Sequence, residues 1–351
     1  MRSRTGLLVC ALLVVDAAAR AAEPYRADPP RADGPVTVSV GFFLSEVNQV
    51  DERAETFEFE AILTLSWRDS RLAFDPRRLG APERVYQGAY QFAEVFDGWW
   101  PQLFLANESG GFDSQAVLLR VAPDGTATLV TEIHAVADTR MSLHRFPFDR
   151  QTLRAVFEVL GFGTERVVLA PDPATSGVNP RGVNVPQWEL LDLRVDAREY
   201  DPVYADGGDG AFSQIVVACE MARQPAHMIQ IVVLPLTLLV LLTFSVFWMD
   251  RSSVGDRMDI SFIGILSVVA YQIIVSDSMP RIAYFTLMSG FLYSTYLVLA
   301  AGVVVNLVVS KLDQSGRSAL GDRVDRVCRW AVPAGFFGAN VLSAAYFTVL
   351  H

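Results

Sequence analysis

The stretch Arg145–Leu153, RFPFDRQTL, poses the question on which the fold turns. Pro147 fixes its own φ and restricts Phe146, so these residues make a loop and not the middle of a strand. Loops run over the surface as a rule, yet two phenylalanines flank the proline and Asp149 follows at once. Such a loop needs something apolar to lie against. From the stretch alone two readings stay open: a loop folded back onto its own core, or a loop that docks on a membrane or a second domain.

The rest of the chain decides between them. It has 351 residues, 51% of them hydrophobic, with a mean hydropathy of +0.29. The apolar residues are unevenly spread. Residues 1–22 carry Arg2 and Arg4, a short apolar run from Leu7 to Val15, and small residues through Ala19-Arg20-Ala21. That pattern is expected of a secretory signal peptide, and the run is too short to span a bilayer. Residues 23–226 are polar and acidic. Between 22 and 226 there are 31 Asp and Glu against 18 Arg, a balance of −13. Such a surface repels nucleic acid and concentrates cations.

Beyond Ala226 the character changes. Segments at 229–249, 258–276, 283–310 and 330–350 each approach the ~20 apolar residues a membrane helix needs. A membrane domain over 227–351 is expected. The 311–329 connection carries Lys311, Arg317, Arg323, Arg326 and Arg329 against three aspartates, which suits a cytoplasmic loop. The three cysteines are Cys10, Cys219 and Cys328, so the exported part has no pair for a disulfide. Asn107-Glu108-Ser109 is then read as a chance sequon. The expected setting is a bacterial inner membrane with the exported domain in the periplasm.

The exported part alternates strictly. In residues 57–68, FEFEAILTLSWR, Phe57, Phe59, Ala61, Leu63, Leu65 and Trp67 share one face. Val36, Val38 and Val40 begin another strand. AVLLRVAPDGTATLVTEI reads as two strands joined at Pro123-Asp124-Gly125, and WELLDLRVDAREY and FSQIVVACEMAR flank the hairpin tip YADGGDG. Strands and turns at this spacing predict an all-β, immunoglobulin-like sandwich followed by a four-helix transmembrane bundle.

In this order of parts, and in several motifs, the chain resembles the pentameric ligand-gated ion channels, the Cys-loop receptor family, in its prokaryotic form. Trp67-Arg68-Asp69 resembles the family's W-x-D, Trp99-Trp100-Pro101 its W-x-P with Asn107 after it, and Phe146-Pro147-Phe148-Asp149 its signature loop. Arg223 resembles the arginine before the first span and Pro280 the proline after the second. The loop's two bridging cysteines are replaced by Thr139 and Leu153. The second span, with SVVAY, is most similar to that of an amine-gated bacterial channel. The resemblance answers the opening question with a loop that presses on the extracellular ends of the membrane helices.

The same resemblance implies the site residues. Aligned on Pro280, the pore stripe is Asp259, Ile263, Leu266, Ala270, Ile273 and Asp277, one helix face with apolar constrictions that close by dewetting. Asp259, with Asp256, would form a carboxylate ring that favours cations, unless Arg257 neutralises it. Periodicity alone would wet the opposite face of Ser261, Gly264, Ser267 and Tyr271. The ligand site falls on Tyr204, Phe212 and Phe162, with Leu160 at the ungapped position, Ala106 in place of a tyrosine, and Ile62 on the complementary face. Cation–π attraction there would hold a small amine, aided by Asp206 and Asp209. Protons and divalent cations are rival agonists. Glu52, Phe146, Pro147, Phe148, Asp149, Arg223 and Pro280 would couple binding to opening.

The partners implied are a homopentamer, the lipid bilayer, a small-molecule agonist and permeating monovalent cations. No cofactor and no metal are expected. An enzyme is disfavoured, since the only histidines are His134, His144, His227 and His351 and no HExxH or GxSxG is present. A sensor that no longer conducts is a further alternative.

Overall fold

The computed structural model describes residues 28–30, 34–183, 185–201, 210–249, 254–276 and 284–350. Strand β1 runs Val36–Asp51, β2 Thr56–Arg68, β3 Arg84–Gln87, β4 Leu103–Leu105, β5 Glu108–Val121, β6 Thr126–Asp138, β7 Arg150–Val159, β8 Val167–Pro171, β9 Gly177–Val178, β10 Trp188–Tyr200 and β11 Phe212–Arg223. They form two sheets. One has the order β3-β5-β6-β2-β1-β8 with β9 also on β1; the other has the order β10-β11-β7-β4. Pairing is antiparallel except where β8 and β9 join β1.

The alternation in β2 has the consequence elementary strand geometry requires. Phe57, Phe59, Ala61, Leu63, Leu65 and Trp67 are all buried between the sheets, and the residues between them face outward. Trp67 and Trp99 meet edge to face at 6.1 Å within that core. Their role is packing.

The β5–β6 turn shows how the W-x-D motif works locally. Asp69 is fully buried, caps the turn at Ser70–Leu72 and grips Arg71 through both oxygens. Its backbone N–H donates to Gly125 O at 2.9 Å. Gly125 has φ +85°, and a Cβ there would sit 2.3 Å from Asp69 O. Only glycine tolerates both conditions.

Four helices follow: α1 Ala226–Trp248, α2 Val254–Ser276, α3 Leu287–Gln314 and α4 Ser318–Leu350. The α3–α4 connection is far shorter than the expected 311–329 loop. Gly316, at φ +74°, ends α3, and α4 is already under way at Ser318. Of the charged residues that looked like loop, Lys311 and Asp313 lie on the last turn of α3, and Asp322, Arg323, Asp325, Arg326 and Arg329 on the first turns of α4, with Asp325 buried among them. Charge on a helix face lowers hydropathy without breaking the helix. For the same reason only α1 and α3, among the described residues, are long and apolar enough to cross a membrane by composition alone. Helix α2 carries Asp256, Arg257 and Asp259 near its start. Thr286 and Ser289 close a reciprocal capping box that begins α3 at Leu287, not at Ala283.

Gly125→Ala is expected to lower stability by about 2 kcal/mol or more, since it adds left-handed strain to a backbone clash. Gly80→Ala shares the left-handed φ of +73° but meets nothing within 4 Å, so its effect should be smaller. Thermal unfolding of both variants checks the order.

Candidate functional site

The junction between sandwich and helices is built around Arg223, the last residue of β11. Its Nε donates to Asp149 Oδ1 at 2.8 Å, and its Nη1 to Glu52 Oε1 at 2.7 Å. The guanidinium carbon lies 4.9 Å from the Phe146 ring centre and 4.2 Å from that of Trp188. Arg223 and Asp149 are fully buried, while the Glu52 side chain is 22% exposed. A buried ion pair survives when its remaining donors and acceptors are satisfied. Gln151 supplies that here: its Nε2 donates to Asp149 Oδ2 at 2.6 Å and to Ser142 O at 2.8 Å. The register of the β10–β11 hairpin sets Trp188 opposite Arg223. Trp188 and Gln151 were not among the sequence candidates. The register of the hairpin was the signal for the first, and nothing short of the folded loop reveals the second.

The loop before β7 does lie on the helices, but through one phenylalanine. Phe146 and Leu143 are buried in a cluster with Met228, Val232, Met288 and Leu292. Phe148 is 53% exposed. The turn closed by Phe148 N–H donating to Arg145 O sends Phe146, Pro147 and Asp149 inward and Phe148 outward. The loop thus lies on the helices through Phe146, while Phe148 points away from them. Further contacts bolt the loop down. Tyr284 accepts from Leu143 N–H at 2.9 Å and stacks on His144, Leu287 N–H donates to His144 O, and Arg145 Nε donates to Phe347 O. Pro280 and the rest of 277–283 lie outside the described residues.

The expected ligand residues are only partly brought together. Tyr204, Asp206 and Asp209 lie outside the described residues. Phe212 opens β11 opposite Tyr200 and is half-buried. Thr164 N–H donates to Ala211 O, which ties the 160–166 loop to that end of the hairpin. Phe162 does not offer a free ring: Trp99 meets it edge-on at 6.3 Å, and Arg166 lies over it at 5.0 Å. An aromatic at the margin of a core is drawn into it, whereas Leu160, the ungapped alternative, is exposed. Ile62 sits on the outward face of the other sheet, opposite Glu132 and Phe43, and does not join the others within one chain.

Sequence reasoning missed a carboxylate here. Arg198, Gln214, Glu158 and Phe104 form one row across β10, β11, β7 and β4. Glu158 is buried, its Oε2 accepts from Gln214 Nε2 at 2.6 Å, and Gln214 Oε1 accepts from Arg198 Nε at 2.9 Å. It stands two residues before Leu160, next to the expected cleft. Only the strand register brings it to the row. Among the described residues, no cluster of three or more His, Cys, Asp or Glu is arranged to hold a metal.

Helix α2 turns its polar face inward. Arg257, Ser261, Gly264 and Val268 are buried against the bundle. A Cβ on Gly264 would come within 2.0 Å of Thr243 Cγ2, so α1 and α2 meet there. Ser261 accepts from Asn306 Nδ2 at 3.1 Å, and the Tyr271 hydroxyl donates to Ile231 O. Asp259, Ile263, Leu266, Ala270 and Ile273 are exposed together, joined by Phe262 and Val269. Asp277 lies outside the described residues. Arg257 does not neutralise Asp259: it is 3% exposed and pairs with Asp325 of α4 at 2.6 Å.

Two family models match the chain: the neurotransmitter-gated ion-channel ligand binding domain over residues 22–225, and the neurotransmitter-gated ion-channel transmembrane region over residues 232–320. The chain belongs to the neurotransmitter-gated ion-channel family. A proton-gated ion channel of Gloeobacter violaceus is 28% identical over 91% of this chain and 85% of its own length. Acetylcholine receptor subunit beta of Xenopus laevis is 26% identical over 80% of this chain, and pH-sensitive chloride channel 2 of Anopheles gambiae 23% over 76%. Those two are covered over 57% and 44% of their lengths, so the chain spans about half of each. This family comprises channels and not enzymes.

Removing one partner of a buried ion pair costs about 3–5 kcal/mol, because the other charge is left uncompensated. Arg223→Ala should therefore destabilise the purified channel more than Asp149→Asn, which keeps an acceptor for Arg223 Nε. Thermal unfolding in detergent checks the ranking, and equal losses would contradict it.

Proposed function

We propose that this chain is one subunit of a homopentameric, cation-selective channel whose pore is lined by α2 and opened by a small extracellular ligand. The observation that carries the reading is the face of α2 left open by the subunit: Asp259, Ile263, Leu266, Ala270 and Ile273. Five-fold repetition about a central axis would turn each into a ring. Ile263, Leu266 and Ile273 would make apolar constrictions that shut by dewetting, and Asp259 a carboxylate ring attractive to cations. Residues 1–22 would be the export signal, 23–226 the periplasmic domain and 227–351 the part held in the inner membrane. Arg223, Asp149, Glu52 and Phe146, with Pro280 beyond, would carry movement of the sandwich to the helices.

For the ligand, the favoured class is a small amine. The buried Glu158 carboxylate supports it, paired across the sheet with Gln214, two residues along β11 from Phe212. Proton gating is the second reading. It is favoured by a relative that is named for gating by protons. A channel named for chloride among the relatives makes ion selectivity a matter for direct measurement.

Reversal potentials in a sodium chloride gradient should follow the cation, and Asp259→Arg should weaken or invert that preference. A potential that follows the anion in the native channel would refute cation selectivity. For the ligand, Glu158→Gln should raise the amine concentration needed for half-maximal current by about tenfold or more, the scale of a lost charge-assisted contact. Currents evoked by acid without any amine, and lost in Glu158→Gln, would favour the proton instead.

A further inference from the structure

A fixed cation close to a carboxylate ring opposes it, and α2 carries one. Arg257 lies two residues from Asp259, about 200° around the helix. Arginine does not lose its proton inside proteins, so burial cannot silence this charge. Only a counter-ion can. We propose that Asp325, on α4 and away from the exposed face of α2, is a selectivity-determining positioning residue: it neutralises Arg257 and so leaves the Asp259 ring to act alone. The inference rests on the pore reading above.

The geometry is that of a dedicated pair. Arg257 Nη2 donates to Asp325 Oδ1 at 2.6 Å, and Nε to Val246 O at 3.0 Å. Ser261 closes the turn by donating to Arg257 O at 2.9 Å. The other oxygen of Asp325 lies 4.0 Å from Arg329, whose Nε donates to Phe247 O and whose guanidinium stands over Trp248. Asp325 thus joins α2 to α4 while its charge is spent on Arg257. Paired, the two make a short dipole whose field decays quickly. Unpaired, Arg257 would be a buried monopole across a helix about 10 Å wide. At an effective dielectric of about 20, and screened by the electrolyte of the conduit over a Debye length of about 8 Å, each such charge shifts the balance of cation over anion at the ring by roughly three- to tenfold.

The test is the permeability ratio of the full-length channel in a bilayer, read from reversal potentials in a salt gradient. Arg257→Gln removes the cation and leaves Asp325, so cation preference should rise by roughly three- to tenfold. Asp325→Asn leaves the cation alone, and preference should fall by a similar factor. The double variant Arg257→Gln/Asp325→Asn should return to the native ratio, and Asp325→Glu should keep it. A bridge of purely structural value would damage both single variants alike and leave their reversal potentials unmoved. Should Asp325→Asn fail to assemble, Arg257→Gln and the double variant still decide: a rise, then a return. Native ratios in both overturn the inference. Asp259→Asn separates the two levels: a shift there without one in the pair refutes this inference alone, and no shift in any variant refutes the pore reading with it.

Discussion

One enclosed cation organises the molecule. Arg223 is taken out of water at the very point where the last strand becomes the first helix, with only Gln224 and Pro225 between. Its desolvation is offset by Asp149, Glu52 and the faces of Phe146 and Trp188. Those four come from three segments, the signature loop for Asp149 and Phe146, the β1–β2 turn for Glu52 and β10 for Trp188, and the arginine itself from a fourth, β11. Satisfying one guanidinium therefore fixes where each of them sits relative to the membrane helices. Glu52 is the least buried member and the one reached from a turn. If any part of the cluster exchanges partners during gating, that contact is the cheapest to break.

The signature loop holds its shape with Thr139 and Leu153 in place of the two bridging cysteines that the resemblance implies, and the substitutes are visible. Thr139 is buried; its hydroxyl donates to Thr152 O and accepts from Arg154 N–H. Leu153 is buried opposite Cys219. Burial pushes the Cys219 thiol up to about 12, so it behaves as a small apolar side chain and not as a thiolate. Packing and two hydrogen bonds thus stand where a covalent link would be, and Gln151 spans the base of the loop to Ser142. The loop is closed by the same burial that holds it onto Phe146's apolar cluster.

What the sequence made legible were features set by period and by motif. Alternation in 57–68 assigns every inward residue of β2, because a strand has two faces and no third option. The stripe expected to line a pore, at 259, 263, 266, 270 and 273, is one exposed face of α2, whereas the polar face that periodicity alone would wet is the one packed inside. Features set by pairing between distant segments were not legible. Phe162 could not be seen to spend its ring on Trp99 and Arg166, nor Arg257 to reach Asp325 on the last helix. Glu158 joins Gln214 only through a strand register. The start of α4 was missed because composition reads a charged helical face as a loop.

The inversion of α2 bears on what that helix faces. A helix against lipid is also apolar on its outer side, so Ile263, Leu266 and Ile273 do not by themselves choose between lipid and water. Asp259 does. It shares the exposed stripe with them, and an intramembrane carboxylate set against hydrocarbon is costly unless it finds water or a partner. The nearest cation on its own helix, Arg257, is already committed to Asp325 on the opposite side. An acid on the same face as a row of large apolar side chains, with its adjacent base turned away, fits a surface that meets water only some of the time. A conduit that dries to close and wets to open has that property.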